Sequence, residues 1–420
     1  MPSQSIAART ALFLVVASWA LVQGQACGGR AEKGSSRSTD DSPPTSSNPP
    51  TDAATGSADA ATEASPVSPA MWPLEASSCA SLEWETCTSL PGNIGEYFVA
   101  VDAEDHFFIA GTAQLSPPDQ TRTVFVAKFS SELELLWLQQ IDSSLSQLKR
   151  LEVQGLAVDA HGNSFVVSRR SSYDGPSTIT KVSFEGAPAW TRPCPGEAVV
   201  GVGLAVAGGG ELVVADSDTS TVRLAKYSPA GDQLWEQDRP AEDTEVVNHV
   251  AADGQGNSWL AADRRQASGR DWQAGNLEMH GPNGELKWKT SLEADLFSDI
   301  LSTDGGESTV LVAIPSVSLV RVSVDGDVLS RTELRHFNLG YGLGSDLDGN
   351  TWVTGYTATG PSKSTVARLS PEGHVLFSKD FDVPTLVFGN YVAQTSSGKV
   401  FIIGYQDYQS RNLVIALLQP

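Results

Sequence analysis

Two aspartates in the C-terminal part of the chain have the spacing of calcium ligands. Asp346 and Asp348 lie in a segment that reads Asp-Leu-Asp-Gly-Asn and ends at Asn350. Alternating carboxylate and amide oxygens suit the hard cation Ca²⁺. However, the bidentate glutamate of a calcium loop is missing downstream, and equivalent turns elsewhere in the chain keep a single aspartate. The segment is therefore interpreted as a tight turn, with calcium binding as the alternative.

A glycine-rich run between Gly201 and Gly210 has the composition of a phosphate-binding loop. Such loops hold phosphate on the backbone N–H groups at the start of a helix. The run here leads into a predicted strand, so no helix N-terminus follows it. The sequence therefore predicts no phosphate site at this run.

The histidines are the other side chains that could perform catalysis or bind a metal, and they are scattered along the chain. None lies at metal-ligand spacing from another, and no pair of cysteines followed by a pair of histidines exists. Each histidine is interpreted as a turn residue or a core contact, although different parts of the chain could still meet in the fold. The sequence therefore predicts no catalytic residue, no metal site and no cofactor. The histidines are His106, His161, His249, His280, His336 and His374.

Two segments rich in arginine and aromatic residues interrupt an acidic chain, and they are the candidate partner-binding sites. Arginine and tryptophan are over-represented where the binding energy of interfaces concentrates. Both segments are expected in loops between the second and third strands of a repeat, with ordinary loop charge as the alternative interpretation. The candidate residues are Arg169, Arg170 and Tyr173 in one segment and Arg264, Arg265, Arg270 and Trp272 in the other.

All these residues belong to a chain that repeats a unit of about fifty residues from Val101 onward. Each copy begins with a turn containing Asp, Gly or Asn, which suit tight hairpins, and continues with short β-branched or aromatic runs. The last run of a copy carries Trp at a fixed offset, replaced by Ser330 and Phe377 in two later copies. Because no helical periodicity is present, the copies predict the four-stranded blades of an all-β propeller, with the tryptophans packed between blades. These are Trp137, Trp190, Trp235 and Trp288.

The two ends of the repeat region predict how the ring of blades closes. The last copy stops at Leu418 after three strands, and a segment with the character of the missing fourth strand lies at residues 82–86. Trp84 in that segment precedes Trp137 by 53 residues, which is also the spacing from Trp137 to Trp190. Sharing one blade between the chain ends removes the open sheet edges. The sequence therefore predicts a seven-bladed antiparallel propeller whose last blade is completed by an N-terminal strand.

The copy at residues 158–167 reads Val-Asp-Ala-His-Gly-Asn-Ser-Phe-Val-Val. It resembles the bacterial seven-bladed β-propeller repeat, whose core is of the type Val-Asp-x-x-Gly-Asn-x-Tyr-Val-x-Gly. The Gly-x-x-x-Trp strand is similar to that of pyrroloquinoline-quinone-type propeller repeats. The resemblance covers approximately residues 80–420. It implies the fold far more strongly than an activity, because propellers host many unrelated functions.

The N-terminal part of the chain has the composition of targeting and linker segments. Residues 1–26 contain a basic residue, a short apolar run and then small residues, which predicts a secretory signal. Residues 27–75 consist mainly of Gly, Ser, Thr, Pro, Ala and Asp, which cannot bury enough apolar area to fold. They predict a disordered tether in front of a propeller at residues 76–420.

Two cleavage sites compete at the end of the predicted signal. Gly24 and Ala26 suit an ordinary signal peptidase, whereas a lipoprotein peptidase would cut before Cys27 and leave a lipidated thiol. Gly24 stands where lipoprotein signals usually carry Leu. The order of cysteine, tether and compact domain favours lipid attachment at Cys27, with simple secretion as the alternative.

The remaining cysteines fit an exported protein. Cys79 and Cys87 flank the predicted closing strand and are close enough in sequence for a small-loop disulfide. Cys194 has no local partner and is predicted to be a buried free thiol.

Charge excludes one class of partner. The chain has 28 basic and 50 acidic residues, a net charge of −22. Nucleic-acid binding requires Lys and Arg to neutralise phosphates, so no nucleic-acid partner is expected. Anionic lipid is disfavoured for the same reason, and membrane contact is expected through a lipid anchor only.

These observations favour a monomeric lipoprotein of the cell envelope, at the outer membrane, whose propeller is a non-catalytic binding or assembly platform. The expected partner is an envelope protein, a glycan or an extracellular ligand. The alternative is an extracytoplasmic enzyme with a site at the propeller channel, either a quinone-dependent dehydrogenase or a polysaccharide lyase.

Overall fold

The computed structural model describes most of the chain from residue 87 onward. Within the described residues, the strands form seven four-stranded sheets and no helix is present. Accordingly, this part of the chain contains no helix that could cross a membrane. The predicted signal, the predicted tether, Cys27 and Cys79 lie outside the described residues. The described ranges are 87–90, 94–113, 122–141, 151–170, 177–196, 201–218, 220–242, 244–265, 272–292, 296–303, 306–314, 316–357, 363–382, 388–405 and 413–418.

The strand β1 (Cys87–Leu90) opens the described chain, and six complete blades follow it in chain order. Blades 1 to 3 consist of β2 (Tyr97–Val101), β3 (Phe107–Ala113), β4 (Thr123–Phe129) and β5 (Leu135–Ile141); β6 (Leu151–Val158), β7 (Ser164–Arg170), β8 (Thr178–Val182) and β9 (Pro188–Pro193); and β10 (Gly201–Val206), β11 (Leu212–Ser217), β12 (Thr221–Tyr227) and β13 (Gln233–Pro240). Blades 4 to 6 consist of β14 (Thr244–Ala252), β15 (Ser258–Arg265), β16 (Trp272–His280) and β17 (Leu286–Ser291); β18 (Leu296–Ser302), β19 (Ser308–Ile314), β20 (Ser318–Val322) and β21 (Val328–Glu333); and β22 (Leu339–Ser345), β23 (Thr351–Thr357), β24 (Lys363–Leu369) and β25 (Val375–Asp382). Blade 7 consists of β26 (Phe388–Gln394), β27 (Val400–Tyr405), β28 (Leu413–Leu418) and, at its outer edge, β1.

The order of the strands places the first strand of each complete blade at one edge of its sheet and the fourth at the other. The first strands of successive blades contact each other, from β2 and β6 to β22 and β26. The first strands therefore surround the axis, and the fourth strands form the outer rim. This arrangement confirms the predicted seven-bladed, all-β propeller.

The turn between the first and second strands explains the repeated Asp-x-x-Gly-Asn pattern. In blade 2, Asp159 Oδ1 accepts hydrogen bonds from the backbone N–H groups of His161 at 3.0 Å and Asn163 at 2.9 Å. Gly162 between them has a φ of +73°, which favours a residue without Cβ. The pattern therefore caps a tight hairpin.

The N-terminal strand completes blade 7, as predicted, and its described part is β1. Strand β1 pairs with β28 from Cys87 opposite Ala416 to Leu90 opposite Leu413. Leu90 is fully buried in the core shared by blades 7 and 1. Residues 82–86 lie outside the described residues.

Each repeated tryptophan joins its blade to the next one, which confirms the predicted position between blades. The half-buried indole packs against a positive-φ glycine in the turn between the third and fourth strands of the following blade. Its ring N–H donates to a backbone carbonyl of the same turn at 2.6–3.2 Å. The pairs are Trp137 with Gly186, Trp190 with Gly231, Trp235 with Gly284 and Trp288 with Gly326.

Inner strands approach each other closely where glycine provides the space. A Cβ on Gly201 would collide with the carbonyl oxygen of Val247 in blade 4. A Cβ on Gly342 would likewise collide with the carbonyl oxygen of Asn390 in blade 7. The glycine-rich run that begins at Gly201 therefore serves the packing of one inner strand on the next.

The seam between blades 7 and 1, where the chain ends meet, is filled by aromatic side chains. The ring centroid of Tyr97 lies 5.0 Å from that of Tyr405, edge to face, and 5.5 Å from that of Tyr391. Phe107 and Phe401 pack beside them with centroids 4.0 Å apart. Aromatic packing therefore closes the ring together with the strand β1.

Candidate functional site in the axial channel

Five inner strands of the described chain contain an extra residue at the same level of the channel. In blade 2, for example, Val153 pairs with Ser168 and Gly155 pairs with Val167, so Gln154 is the extra residue of a β-bulge. Every one of these residues precedes by five positions the residue that opens the following turn. We call them the bulge ring: Gln154 in β6, Asn248 in β14, Ser298 in β18, Tyr341 in β22 and Asn390 in β26.

All members of the bulge ring have polar side chains, and all are half-buried. The inner strands lie between neighbouring blades and are covered on one edge by the second strand. Solvent can therefore reach them only from the axial side or from the ends of the channel. A β-bulge redirects a side chain out of the regular alternation, and such bulges are frequent next to active sites. The repeated bulges thus place polar residues in the strands that surround the axis.

His249 and Asp299 each follow a member of the bulge ring and face each other across the junction of blades 4 and 5. Nδ1 of His249 lies 3.9 Å from Oδ1 of Asp299, and a quarter of each side chain is exposed. The Asp299 carboxylate accepts hydrogen bonds from the backbone N–H groups of Ile300 and Leu343, both at 2.8 Å. The second of these contacts reaches into blade 6, so Asp299 also ties two inner strands together.

Burial shifts the pKa values of this pair in opposite directions, because it disfavours the charged form of each group. It lowers the pKa of His249 to about 4, although a hydrogen bond to the backbone of Phe297 acts in the opposite direction. It raises the pKa of Asp299 to about 6, although two backbone N–H groups stabilise the carboxylate. At neutral pH the pair is therefore an uncharged imidazole beside a carboxylate.

Two tyrosines lie beside the bulge ring, in the seam between blades 7 and 1. Tyr391 follows Asn390 in β26, and its hydroxyl donates to the carbonyl oxygen of Tyr97 at 3.2 Å. Burial, and next the negative charge of Asp299, raise the pKa of Tyr391 well above its usual range. Burial also raises the pKa of Tyr97, whose hydroxyl interacts with the Asn390 side chain. Both phenols are therefore uncharged at neutral pH.

A second group of charged side chains lies at the inner strands of blades 1 and 2. The Glu96 carboxyl has its pKa raised to about 7, first by burial and then by the charge of Glu152. The guanidinium groups of Arg169 and Arg122 oppose this shift. Arg169 Nη2 donates to Glu152 Oε2 at 3.2 Å, and its side chain is buried.

This position of Arg169 corrects the expectation that it belongs to an exposed loop. Arg169 and Arg170 lie in β7, because the strand continues beyond the apolar run that marks it in the sequence. Arg169 is buried against Glu152 and is therefore not on the surface that an external partner would contact first.

The second arginine-rich segment also lies partly in strands. Arg264 and Arg265 end β15, and Trp272 begins β16. Arg264 is half-buried, and its Nη1 atom lies 3.9 Å from a carboxylate oxygen of Glu242. Tyr173 and Arg270 lie outside the described residues, as do the side chains of Arg170, Arg265 and Trp272. Partner binding by this set stays a prediction.

The segment that resembles a calcium loop is a turn, as predicted. Asp346 Oδ1 accepts from the backbone N–H groups of Asp348 and Asn350 at 2.9 and 2.8 Å. The Arg368 guanidinium donates to both carboxylates, through Nε to Asp346 at 2.7 Å and through Nη2 to Asp348 at 3.2 Å. A side-chain cation therefore supplies the positive charge that these carboxylates require.

Cys194 is a buried free thiol, as predicted. Burial raises its pKa well above the usual range, so the reactive thiolate is disfavoured. Cys87 lies in β1 rather than beside the closing strand. The predicted bridge from Cys87 to Cys79 stays a prediction because Cys79 lies outside the described residues. Within the described ranges, no three His, Cys, Asp or Glu side chains are grouped closely enough to hold a metal ion.

The sequence pattern does not indicate the channel residues. It predicts His249 as a turn or core residue and gives no role to Asp299. One signal was available, because a polar residue stands five positions before the turn in four repeats and tyrosine in a fifth. Nothing in that spacing, however, identifies a bulge or the blade that each side chain faces.

No known protein family and no curated protein matches the sequence. Solved structures match the fold. A streptogramin B lyase has 12% identity and a TM-score of 0.54, with 79% of this chain and 97% of that chain covered. Virginiamycin B lyase from Staphylococcus aureus, a catalytically inactive histidine variant with quinupristin, has 10% identity and a TM-score of 0.52, with 80% and 99% covered.

The WD40 repeats of RRP9 are similar to the same extent, with 13% identity and a TM-score of 0.55, and with 79% of this chain and 100% of that chain covered. The chain is thus similar both to lyases and to a WD40-repeat protein. At these identities the likeness shows a shared propeller fold and nothing about the site.

Proposed function

We propose that this chain is a lipoprotein of the cell envelope whose propeller is a non-catalytic binding module, with its ligand held in the axial channel. The bulge ring is the observation that carries this proposal. Five polar residues occupy equivalent bulges in the inner strands of five blades, and the propeller arranges these strands around one axis. Such convergence in a concave, partly exposed region is the usual property of a ligand site.

The rigidity of the ring supports binding, because a pre-organised site loses little entropy when it orders a ligand. Four indoles on the outer rim fix blades 1 to 5 against one another, and glycine contacts of the inner strands bring blade 3 close to blade 4 and blade 6 close to blade 7. In addition, the Asp299 carboxylate accepts from the backbone of blade 6, which holds the channel groups in register.

The proposed location depends on the N-terminal segment. Cys27 would carry the lipid, and residues 28–75 would tether the propeller to the outer membrane. The acidic surface supports a domain that stays in solution at the end of this tether, because net charge opposes self-association. An envelope protein that binds the outer surface stays a further possibility for Arg264, Arg265, Arg270 and Trp272.

A pair of Ser→Trp variants tests the channel. Ser298→Trp places an indole in the bulge ring and should block the channel. Ser330→Trp is the matched control. Ser330 pairs with Arg321 as Trp137 pairs with Lys128, so the new indole would occupy the outer-rim position that tryptophan has in other blades. Small extracellular compounds, including saccharides and amines, would be screened for those that raise the melting temperature of the wild-type protein. Binding should be lost in Ser298→Trp and kept in Ser330→Trp, whereas equal stabilisation of both variants would contradict the proposal.

A second candidate is an enzyme that acts at the same channel, and the contact between His249 and Asp299 favours it. An uncharged imidazole beside a carboxylate is a plausible arrangement for accepting a proton from a bound substrate. The similarity in fold to lyases is compatible with this candidate. Turnover of a polysaccharide, or reduction of a quinone, that Ser298→Trp abolishes would favour the enzyme, whereas stoichiometric binding without product favours the binding module.

A further inference from the structure

Several donor hydrogens of the channel side chains are already used within the protein. A ring N–H of His249 is engaged with the backbone carbonyl of Phe297. The side-chain amide of Asn248 donates to the Asp263 carboxylate. The other ring nitrogen of neutral His249 and the Asn248 carbonyl oxygen are acceptors.

Side-chain donors in blades 7 and 2 are also used within the protein. The Tyr391 hydroxyl donates to the backbone of Tyr97 at 3.2 Å. The side-chain amide of Gln154 donates to the backbone carbonyl of Val153 at 3.2 Å. These four donors therefore point into the protein, which leaves acceptors of the same side chains for a ligand.

One acceptor stands out in the channel. The Asp299 carboxylate is a quarter exposed and has lone pairs beyond the two that accept from the backbone. A ligand that donates hydrogen bonds would therefore be stabilised at this carboxylate.

The charge of the channel decides which donor fits best. Among the described residues, the side chain that forms an ion-pair contact with Asp299 is His249, which is uncharged at neutral pH because burial lowers its pKa to about 4. The Asp299 carboxylate is therefore not neutralised by the protein. A cation in the channel would stabilise it, and the net charge of −22 would raise the local concentration of cations.

The aromatic rings beside Asp299 also favour a cationic ligand. Tyr391 is close enough to Asp299 for that negative charge to contribute to the raised pKa of its phenol. The face of an uncharged tyrosine ring attracts an ammonium group. Tyr97 lies behind Tyr391, with ring centroids 5.5 Å apart, and fixes its position.

We infer that the axial channel binds a small organic ligand through a protonated amino group, with Asp299 as the anionic contact and Tyr391 beside it. This inference rests on the proposed function, because it assigns a ligand class to the same channel. A neutral, hydroxyl-rich ligand would also find acceptors there, but it would leave the charge of Asp299 without compensation.

The test is calorimetric titration of the full protein with cadaverine, a linear diamine, and with the diol that has the same carbon chain. Cadaverine should bind at about pH 7.5, and the diol should bind at least about tenfold more weakly, since a hydrogen bond to a charged group contributes roughly 1.5–3 kcal/mol. Asp299→Asn should weaken cadaverine binding at least about tenfold, whereas the exposed control Asp325→Asn should not change it. Because Asp299→Asn could perturb folding, Ser298→Trp serves as a second variant and should also abolish cadaverine binding.

The pH dependence separates Asp299 from its titratable neighbours. His249 on β14 and Tyr391 on β26 face Asp299, and both stay uncharged between about pH 5 and pH 7.5. Glu96, whose pKa is also raised, influences Tyr391 and titrates in the same range. Cadaverine affinity should fall as the pH is lowered from about 7.5 to about 5, and this fall should persist in Glu96→Gln.

Three results would overturn the inference. Cadaverine and the diol could bind equally well, cadaverine could fail to bind, or its binding could be unaffected by Asp299→Asn. If another compound still binds in a way that Ser298→Trp blocks, the channel remains the binding site and only the ligand class is wrong. If stabilising compounds all bind Ser298→Trp and Ser330→Trp equally, the proposed function fails as well.

Discussion

His249 Nδ1 lies 3.9 Å from Asp299 Oδ1, although the two residues belong to different blades and are 50 positions apart in the chain. The contact exists because each residue follows a β-bulge at the same level of its inner strand. Since burial makes the imidazole a weaker base and the carboxylic acid a weaker acid, the pair has one negative charge at neutral pH. That charge is the main electrostatic feature of the channel at the junction of blades 4 and 5.

Replacing Asp299 should change the pH dependence of stability. Its folded-state pKa of about 6 lies above the ordinary value of 3.8, so the folded state binds this proton more tightly than the unfolded state. Stability contributed by protonation is present below the unfolded pKa and is lost as the pH rises through about 6. The melting temperature of Asp299→Asn relative to wild type should therefore increase between about pH 4 and pH 7, by an amount equivalent to at most about 3 kcal/mol.

Thermal scans over this pH range check the prediction. A difference in melting temperature that does not depend on pH is also expected. The two backbone N–H groups contact different oxygens of Asp299, and an asparagine side chain has only one oxygen. Asp325→Asn, at an exposed turn, should show no such trend. A pH-independent difference for Asp299→Asn would contradict the burial argument.

The contact between Trp288 and Gly326 should contribute measurably to stability. Gly326 has a φ of +89°, and a Cβ there would lie 2.7 Å from the Trp288 ring. Gly349 also has a positive φ, of +76°, but its Cβ would meet nothing within 4 Å. Gly349→Ala should therefore lower the free energy of unfolding only by the cost of the backbone conformation, roughly 1–2 kcal/mol. Gly326→Ala should lower it by at least about 1 kcal/mol more, because the indole must move.

Thermal denaturation of both glycine variants provides the measurement. The variants share the same change of residue and the same backbone region, so the difference between them reports the indole contact. Equal losses in melting temperature would mean that the tryptophan does not hold the blades together.

The closing strand should be required for stability. Leu90→Ala removes a fully buried side chain from the core between blades 7 and 1 and should cost about 2–5 kcal/mol. Leu347→Ala is the matched control, because Leu347 is 78% exposed and should change stability by less than about 0.5 kcal/mol. Denaturant titrations of both variants give the comparison, and a Leu90→Ala protein as stable as the control would refute closure by β1.

Changing Cys27 should release the protein from membranes if that thiol carries a lipid. Membrane attachment would then depend on the acyl chains, because the acidic propeller has little attraction for anionic lipid. Fractionation of cells that express Cys27→Ala should recover the protein in the soluble fraction. Cys194→Ala removes a buried thiol and should leave the distribution unchanged. A Cys27→Ala protein that stays in the membrane fraction would rule out the anchor.

The sequence predicts the fold because the repeated signals are local. The turn that begins at Asp159, with its glycine, fixes a hairpin within a few residues, and Trp190 marks an outer strand from its own position. The register of the closing strand is not a local property, because it depends on β28, more than 300 residues away. Arg169 was expected in a loop because the alternation of polar and apolar residues ends before β7 does.

The channel site could not be predicted in the same way. A bulge in an inner strand is a property of pairing, and Asn248 does not differ in sequence from an ordinary polar strand residue. The approach of His249 to Asp299 depends further on how blade 4 packs on blade 5. Glu152 and Arg169 are also distant in sequence and meet only because β6 pairs with β7.

A crystal structure of the protein with cadaverine at saturating concentration would show whether the axial channel binds a ligand at Asp299. We expect the diamine between blades 4, 5 and 7, with one ammonium nitrogen within hydrogen-bonding distance of the Asp299 carboxylate and beside the Tyr391 ring. Cadaverine bound elsewhere, or a channel that contains only solvent at saturation, would show that Asp299 is not the ligand contact.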